Sequence, residues 1–69
     1  MADRDIQLED HGSLWLLRPM SEDGTTWLDQ NIGDEARMLG AAVVVEPRYV
    51  EDITEGMIND GLIVAGPGA

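Results

Sequence analysis

Proline and glycine cut this chain into pieces too short for any long element. Pro19, Gly33, Gly40, Pro47 and Gly61 each stand where one apolar pattern stops or the next begins. Proline cannot donate to a ladder or continue a helix, and glycine closes helices and turns at positive φ. Short strands and short helices are what remain between these points. At 69 residues the chain has room for one domain. A domain of that size buries only about 60% of the surface its unfolded chain exposes. The expected domain is 1–65. Gly66-Pro67-Gly68-Ala69 reads as a flexible C-terminal tail, 66–69.

Within these limits the apolar periodicity assigns the elements. Ile6 and Leu8 alternate with Gln7 and Glu9, the period-two pattern of a half-buried strand. Asp10-His11-Gly12-Ser13 is a turn signal, and Leu14 to Arg18 reads as the returning strand of a hairpin ended by Pro19. Leu14 and Leu16 share one face of that strand, Trp15 and Leu17 the other. Ser21 is a natural N-cap, with Glu22 and Asp23 placed where a helix dipole favours carboxylates. Trp27, Leu28 and Ile32 form the apolar side of this helix, and Gly33 its C′ position. Asp34 to Leu39 reads as one irregular turn ended by Gly40. Ala41 to Val45 reads as a short buried strand. Pro47 opens a second helix at N1, with Tyr49, Val50, Ile53 and Met57 as its apolar stripe. Gly61 ends it, and Leu62 to Ala65 is a last strand. The predicted fold class is α+β: a single small domain in β-β-α-β-α-β order. Its three- or four-stranded, largely antiparallel sheet would carry two helices on one face. The predicted core is Leu14, Leu16, Trp27, Leu28, Ile32, Val43, Val45, Val50, Ile53, Met57 and Leu62.

Charge then narrows the function. Fourteen Asp and Glu face four arginines and no lysine, a net charge of −10. Like charges slightly destabilise a compact state while keeping it soluble and monomeric. Direct binding to nucleic acid is disfavoured, because that affinity comes from Lys and Arg neutralising phosphates. An anionic membrane surface would repel the chain, and its longest apolar run, Ala41 to Val45, is far below the ~20 residues of a membrane span. Met1-Ala2-Asp3-Arg4-Asp5 lacks a cationic region followed by an apolar one, so no signal peptide is expected. Without cysteine there is no disulfide, thiolate zinc site or cysteine nucleophile, which suits a reducing cytoplasm.

Catalytic patterns are scarce. His11 is the single histidine and falls in a turn, with Ser13 two residues on; a hydrolytic triad needs more. No phosphate-binding or dinucleotide-binding glycine pattern is present. Glu51, Asp52 and Glu55, or Asp34 with Glu35, are the carboxylate groups that a hard cation would seek, but no stretch has the ligand spacing of an EF-hand loop. The expectation is a non-enzyme with no cofactor and no metal.

The acidic helix faces are the remaining signal. Glu51 and Glu55 are i, i+4 neighbours with Asp52 beside them, and Glu22 and Asp29 point outward from the first helix. Together with Asp34 and Glu35 they make the candidate partner-binding set: Glu22, Asp29, Asp34, Glu35, Glu51, Asp52 and Glu55. A solvated face normally mixes both signs, and this one does not. The expected partner is a basic protein surface. A second reading is an adaptor or regulator that docks through an apolar patch at Trp15 and Leu17, should that strand face be open.

Three stretches add a resemblance. Gly12-Ser13-Leu14-Trp15-Leu16-Leu17-Arg18-Pro19, then Trp27-Leu28, then Val44-Val45-Glu46-Pro47-Arg48-Tyr49-Val50-Glu51-Asp52-Ile53 resemble short acidic proteins of bacterial phages and mobile elements. The similarity spans roughly residues 6 to 64. Within that group the chain looks most like an anti-CRISPR protein acting on a type I-C system. The resemblance implies a monomeric DNA mimic in the bacterial host cell. Such a mimic occupies the basic DNA-binding surface or PAM-reading site of a Cascade-type effector, so that target DNA is excluded.

Overall fold

The computed structural model describes residues 4–32 and 37–66, with 37–39 described by backbone alone. Its first hairpin shows how local chemistry sets everything downstream. Strand β1 (Ile6–Asp10) returns as β2 (Trp15–Pro19) through a tight turn in which Gly12 takes φ 81°. Asp10 Oδ1 accepts from Gly12 N at 2.8 Å, and His11 N donates to Leu14 O at 2.9 Å. Glycine at the first of two loop positions is the chemistry of a tight hairpin turn. The resulting register pairs Ile6 with Pro19, Leu8 with Leu17 and Asp10 with Trp15. Directly paired residues share a face, so Trp15 and Leu17 lie with Ile6 and Leu8.

That corrects the predicted phase of β2. Leu17 is fully buried in the main core, and Trp15 packs against it. Leu14 is 39% exposed, and Leu16, although buried, sits on the other face, paired with Glu9 and Val44. Both faces of this strand are apolar, so its own sequence carries no phase. The short turn decides it.

The remaining elements are α1 (Glu22–Asn31), β3 (Arg37–Leu39), β4 (Ala42–Val45), α2 (Pro47–Asn59) and β5 (Val64–Ala65). The strands form one mixed sheet in the order β3-β4-β2-β1-β5. The α+β class and the β-β-α-β-α-β order hold, with β3 as a further strand. The segment read as an irregular turn therefore ends in a hairpin. Leu39 pairs with Ala42, which leaves Gly40 and Ala41 as a two-residue loop, and Gly40 has φ 62°. The sheet is mixed because β5 pairs with β1 in parallel. Gln7 Nε2 donates to Leu8 O at 3.0 Å and also lies 3.0 Å from Gly66 O, so one side-chain amide joins both strands at the end of that ladder.

Topology explains why both helices share one face. The β2-α1-β3 crossover passes β4, and β4-α2-β5 passes β2 and β1 in the opposite direction, from an oppositely directed strand. Two right-handed crossovers of this kind must cover the same side. This is a split β-α-β arrangement with β1 inserted beside β5. The core joins that side: Ile6, Leu8, Leu17 and Val43 from the sheet, Leu28 from α1, Val50 and Met57 from α2. Trp27, Ile32, Val45, Ile53 and Leu62 pack against it partly buried, as expected of core members. Ile6, Leu8, Leu17 and Ala42 are buried members that the predicted core omits. Tyr49 leaves the predicted stripe and is 47% exposed.

One carboxylate belongs to the architecture. Ser21 caps α1, its Oγ accepting from Gly24 N at 3.0 Å and donating to Asp5 Oδ1 at 2.6 Å. Asp5 Oδ2 accepts from Ile63 N at 2.8 Å, so one side chain ties the start of α1 to the approach of β5. The Ser21 hydroxyl first, then the Ile63 amide, hold this carboxyl below its ordinary value of 3.8. A depressed native pKa contributes stability that is present above the unfolded value and lost as pH falls through the native one. Asp5→Asn is therefore expected to lower the melting temperature at pH 7, with the gap to the parent closing as pH drops below 3.8. Thermal unfolding followed by circular dichroism across that range measures it; a gap that stays constant into acid would refute the assignment.

Candidate functional site

The helical layer carries the acidic surface. Glu22, Asp23 and Asp29 are exposed on α1, and Glu51, Asp52 and Glu55 on α2. Glu46 and Asp60, which flank α2, are exposed as well. Among the described residues none of these except Glu46 has a cation within salt-bridge distance. The arginines are elsewhere. Arg18 is in β2 and Arg37 in β3, while Arg4 precedes β1 and donates from Nη1 to Gln7 Oε1. Arg18 Nε lies 2.5 Å from Glu9 Oε2. Only Arg48 stands on a helix, its Nε 3.0 Å from Glu46 and its guanidinium 4.9 Å above the Tyr49 ring centroid. The helical layer thus carries many anions and one described cation, Arg48, while Arg18 is paired with Glu9 across the first hairpin.

The helices are neighbours. Trp27 Nε1 donates to Asp60 Oδ2 at 2.6 Å, which bridges α1 to the end of α2. The same indole faces Gly56: a Cβ built there would meet Trp27 Cζ2 at 3.5 Å. That distance is ordinary van der Waals contact, so Gly56→Ala fits without strain. It is expected to raise stability by up to about 1 kcal/mol, the helix-propensity difference. Urea unfolding would show it, and a lower midpoint would mean the indole cannot accept a methyl.

This contact fixes which flank each carboxylate occupies. With roughly 100° per residue, Asp52 falls about 40° round α2 from Gly56 and so borders the seam between the helices. Glu55 is about 100° away and faces outward, and Glu51, about 140° away, lies on the flank turned from α1. On α1, Glu22 and Asp29 fall about 140° and 160° from Trp27, again on the outer flank. Asp23, about 40° from Trp27, borders the seam. The five described members of the predicted set thus belong to one helical layer but spread across it. Asp34 and Glu35 lie outside the described residues. Asp23 and Asp60 were missed; Asp23, four residues from Trp27, is legible in the sequence, whereas Asp60 meets that indole only through the tertiary fold.

Other candidates gain less. His11 is exposed at the hairpin tip with Nε2 3.3 Å from Glu9 Oε1, and Ser13 is exposed beside it. The Arg18 guanidinium, then His11, hold the Glu9 carboxyl below its ordinary value. Among the described residues no three Asp, Glu or His side chains gather as metal ligands. No helix there is long and apolar enough to cross a membrane. Trp15 and Leu17 face the helices, so no open Trp15–Leu17 patch exists. Compared with family models, curated proteins and solved structures, the chain matches none.

Proposed function

We propose that this protein is an inhibitor of the anti-CRISPR kind that its sequence resembles. It binds the basic DNA-binding surface of a type I effector in the bacterial cell and keeps target DNA from the PAM-reading site. The observation that carries this reading is the segregation of charge. The outer helical layer holds Glu22, Asp23, Asp29, Glu51, Asp52, Glu55 and Asp60 without a described cation beside them, and its one arginine is tied to Glu46. Effector complexes recognise DNA through arginines and lysines aimed at backbone and PAM. A net charge of −10 steers a protein of this kind toward such a site, faster at low salt. The adaptor reading loses its anchor, because Trp15 packs against the core.

Competition tests it. PAM-bearing duplex and this protein are expected to exclude one another from the purified effector. Simultaneous binding of both at one effector site would sink the proposal.

A further inference from the structure

The sheet ends on one side at β5, and among the described residues no strand lies beyond it. Its ladder with β1 is parallel, and Ile6 N donates to Ile63 O at 3.1 Å. Backbone groups of successive strand residues point to opposite sides of the strand. Ile63 and Ala65 therefore serve β1, and Val64 turns its N–H and C=O to the outside. Side chains alternate as well, between the two faces. Val64 packs against the core, so Ile63 stands on the other face of the sheet, 60% exposed. On the helical side the same edge is flanked by α2. Gly61 N donates to Ile58 O and Leu62 N to Met57 O, both at 3.0 Å, which turns the chain from the end of α2 directly into β5. Ile58, about 160° round α2 from Gly56, lies on the flank turned from α1, with Glu51 about two turns earlier on that flank. Ile58 is 58% exposed, so the two most exposed large apolar side chains among the described residues stand at this edge, one on each face.

We infer that the β5 edge is a docking site for an extended, basic segment of the partner, added to the sheet as a further strand. Val64 supplies the main-chain donor and acceptor. An added strand alternates its side chains between the two faces, so Ile58 and Ile63 each seat an apolar one. Glu51 is exposed with no described cation beside it, and takes a lysine or arginine of the same segment. Charge selects this occupant over a second copy of the chain: two β5 edges side by side would bring Glu51 towards Glu51 between molecules of net charge −10 each. The inference rests on the basic partner proposed above and specifies how that partner is held.

The test probes the full chain with a capped heptapeptide in which pairs of lysines alternate with pairs of valines, so that each face carries both. Binding is followed by ¹⁵N-edited NMR, with the largest shifts and slowed exchange expected at the Val64 amide. The same peptide N-methylated throughout keeps its charge and side chains but cannot donate main-chain bonds. It is expected to bind about tenfold more weakly, the scale of two lost hydrogen bonds. Ile63→Thr keeps a β-branched residue and should weaken the unmethylated peptide about threefold or more; the exposure of Ile63 makes this variant safe for folding, and its circular dichroism verifies that. Equal affinity for the two peptides, no binding of either, indifference to Ile63→Thr, or shifts centred on Glu22 and Asp29 would each overturn the inference. So would a peptide-free chain that sediments as a dimer with the Val64 amide already protected, which would give the edge to a second copy. A protein that docks the peptide at β5 yet fails to compete with duplex on the effector keeps the edge and loses the proposed function. One that competes equally well with and without Ile63→Thr does the reverse.

Discussion

Gly24→Ala is expected to destabilise the protein by about 2 kcal/mol or more, even though alanine is the better helix former by about 1 kcal/mol. A Cβ at position 24 would stand 2.2 Å from the backbone oxygen of Asp5 and 3.1 Å from Ile6 Cδ1. A carbonyl of a paired strand end cannot rotate away as a side chain can. Asp5 O already accepts from Met20 N at 2.8 Å, so the first turn of α1 would have to lift from the sheet. Lifting it stretches the Ser21–Asp5 bond and uncovers fully buried Ile6. In a domain of this length a loss of 2 kcal/mol lowers the melting temperature by roughly 10 °C. Calorimetry or urea unfolding measures it directly. An unchanged or higher melting point would show that α1 does not approach β1 as described. The contrast with Gly56→Ala is a sharp internal check, because the two substitutions share one propensity gain and should differ in sign.

The second large effect concerns binding. Changing Glu51, Asp52 and Glu55 together to lysine is expected to weaken association with a basic partner by at least about 100-fold, within the range that electrostatic steering spans. All three side chains are exposed, and none has a described cation beside it, so among the described residues the change breaks no ion pair. Relief of like-charge repulsion should leave the melting temperature equal or slightly higher. Titration by calorimetry at two salt concentrations is the measurement. Unchanged affinity in a folded triple variant would remove the helical layer from the interface.

How far these features were legible in the chain follows from their range. Ser21 as N-cap, Pro47 at N1 and Gly61 at positive φ are decisions within three or four residues, and each is where the pattern places it. The β3 strand was hidden because its partner is reached only through the Gly40-Ala41 turn, whose type depends on a single φ. The face of β2 was hidden because Leu14 to Leu17 is apolar on both sides. A two-residue reading of Gly12-Ser13 would have supplied it, since pairing Leu8 with Leu17 follows from that loop length. A glycine inside a helix costs about 1 kcal/mol against alanine, and at Gly24 only the closeness of Asp5 O gives it a reason.

By itself the amino-acid order determined the class of the fold, the ends of the helices and the excess of anion over cation, because propensity, capping and charge are local or summed properties. Tertiary structure decided the phase of β2, the insertion of β1 beside β5, and which carboxylates border the α1–α2 seam. Those depend on pairing register and on Trp27 meeting Gly56 and Asp60, contacts between residues about 30 positions apart that periodicity within a segment does not encode.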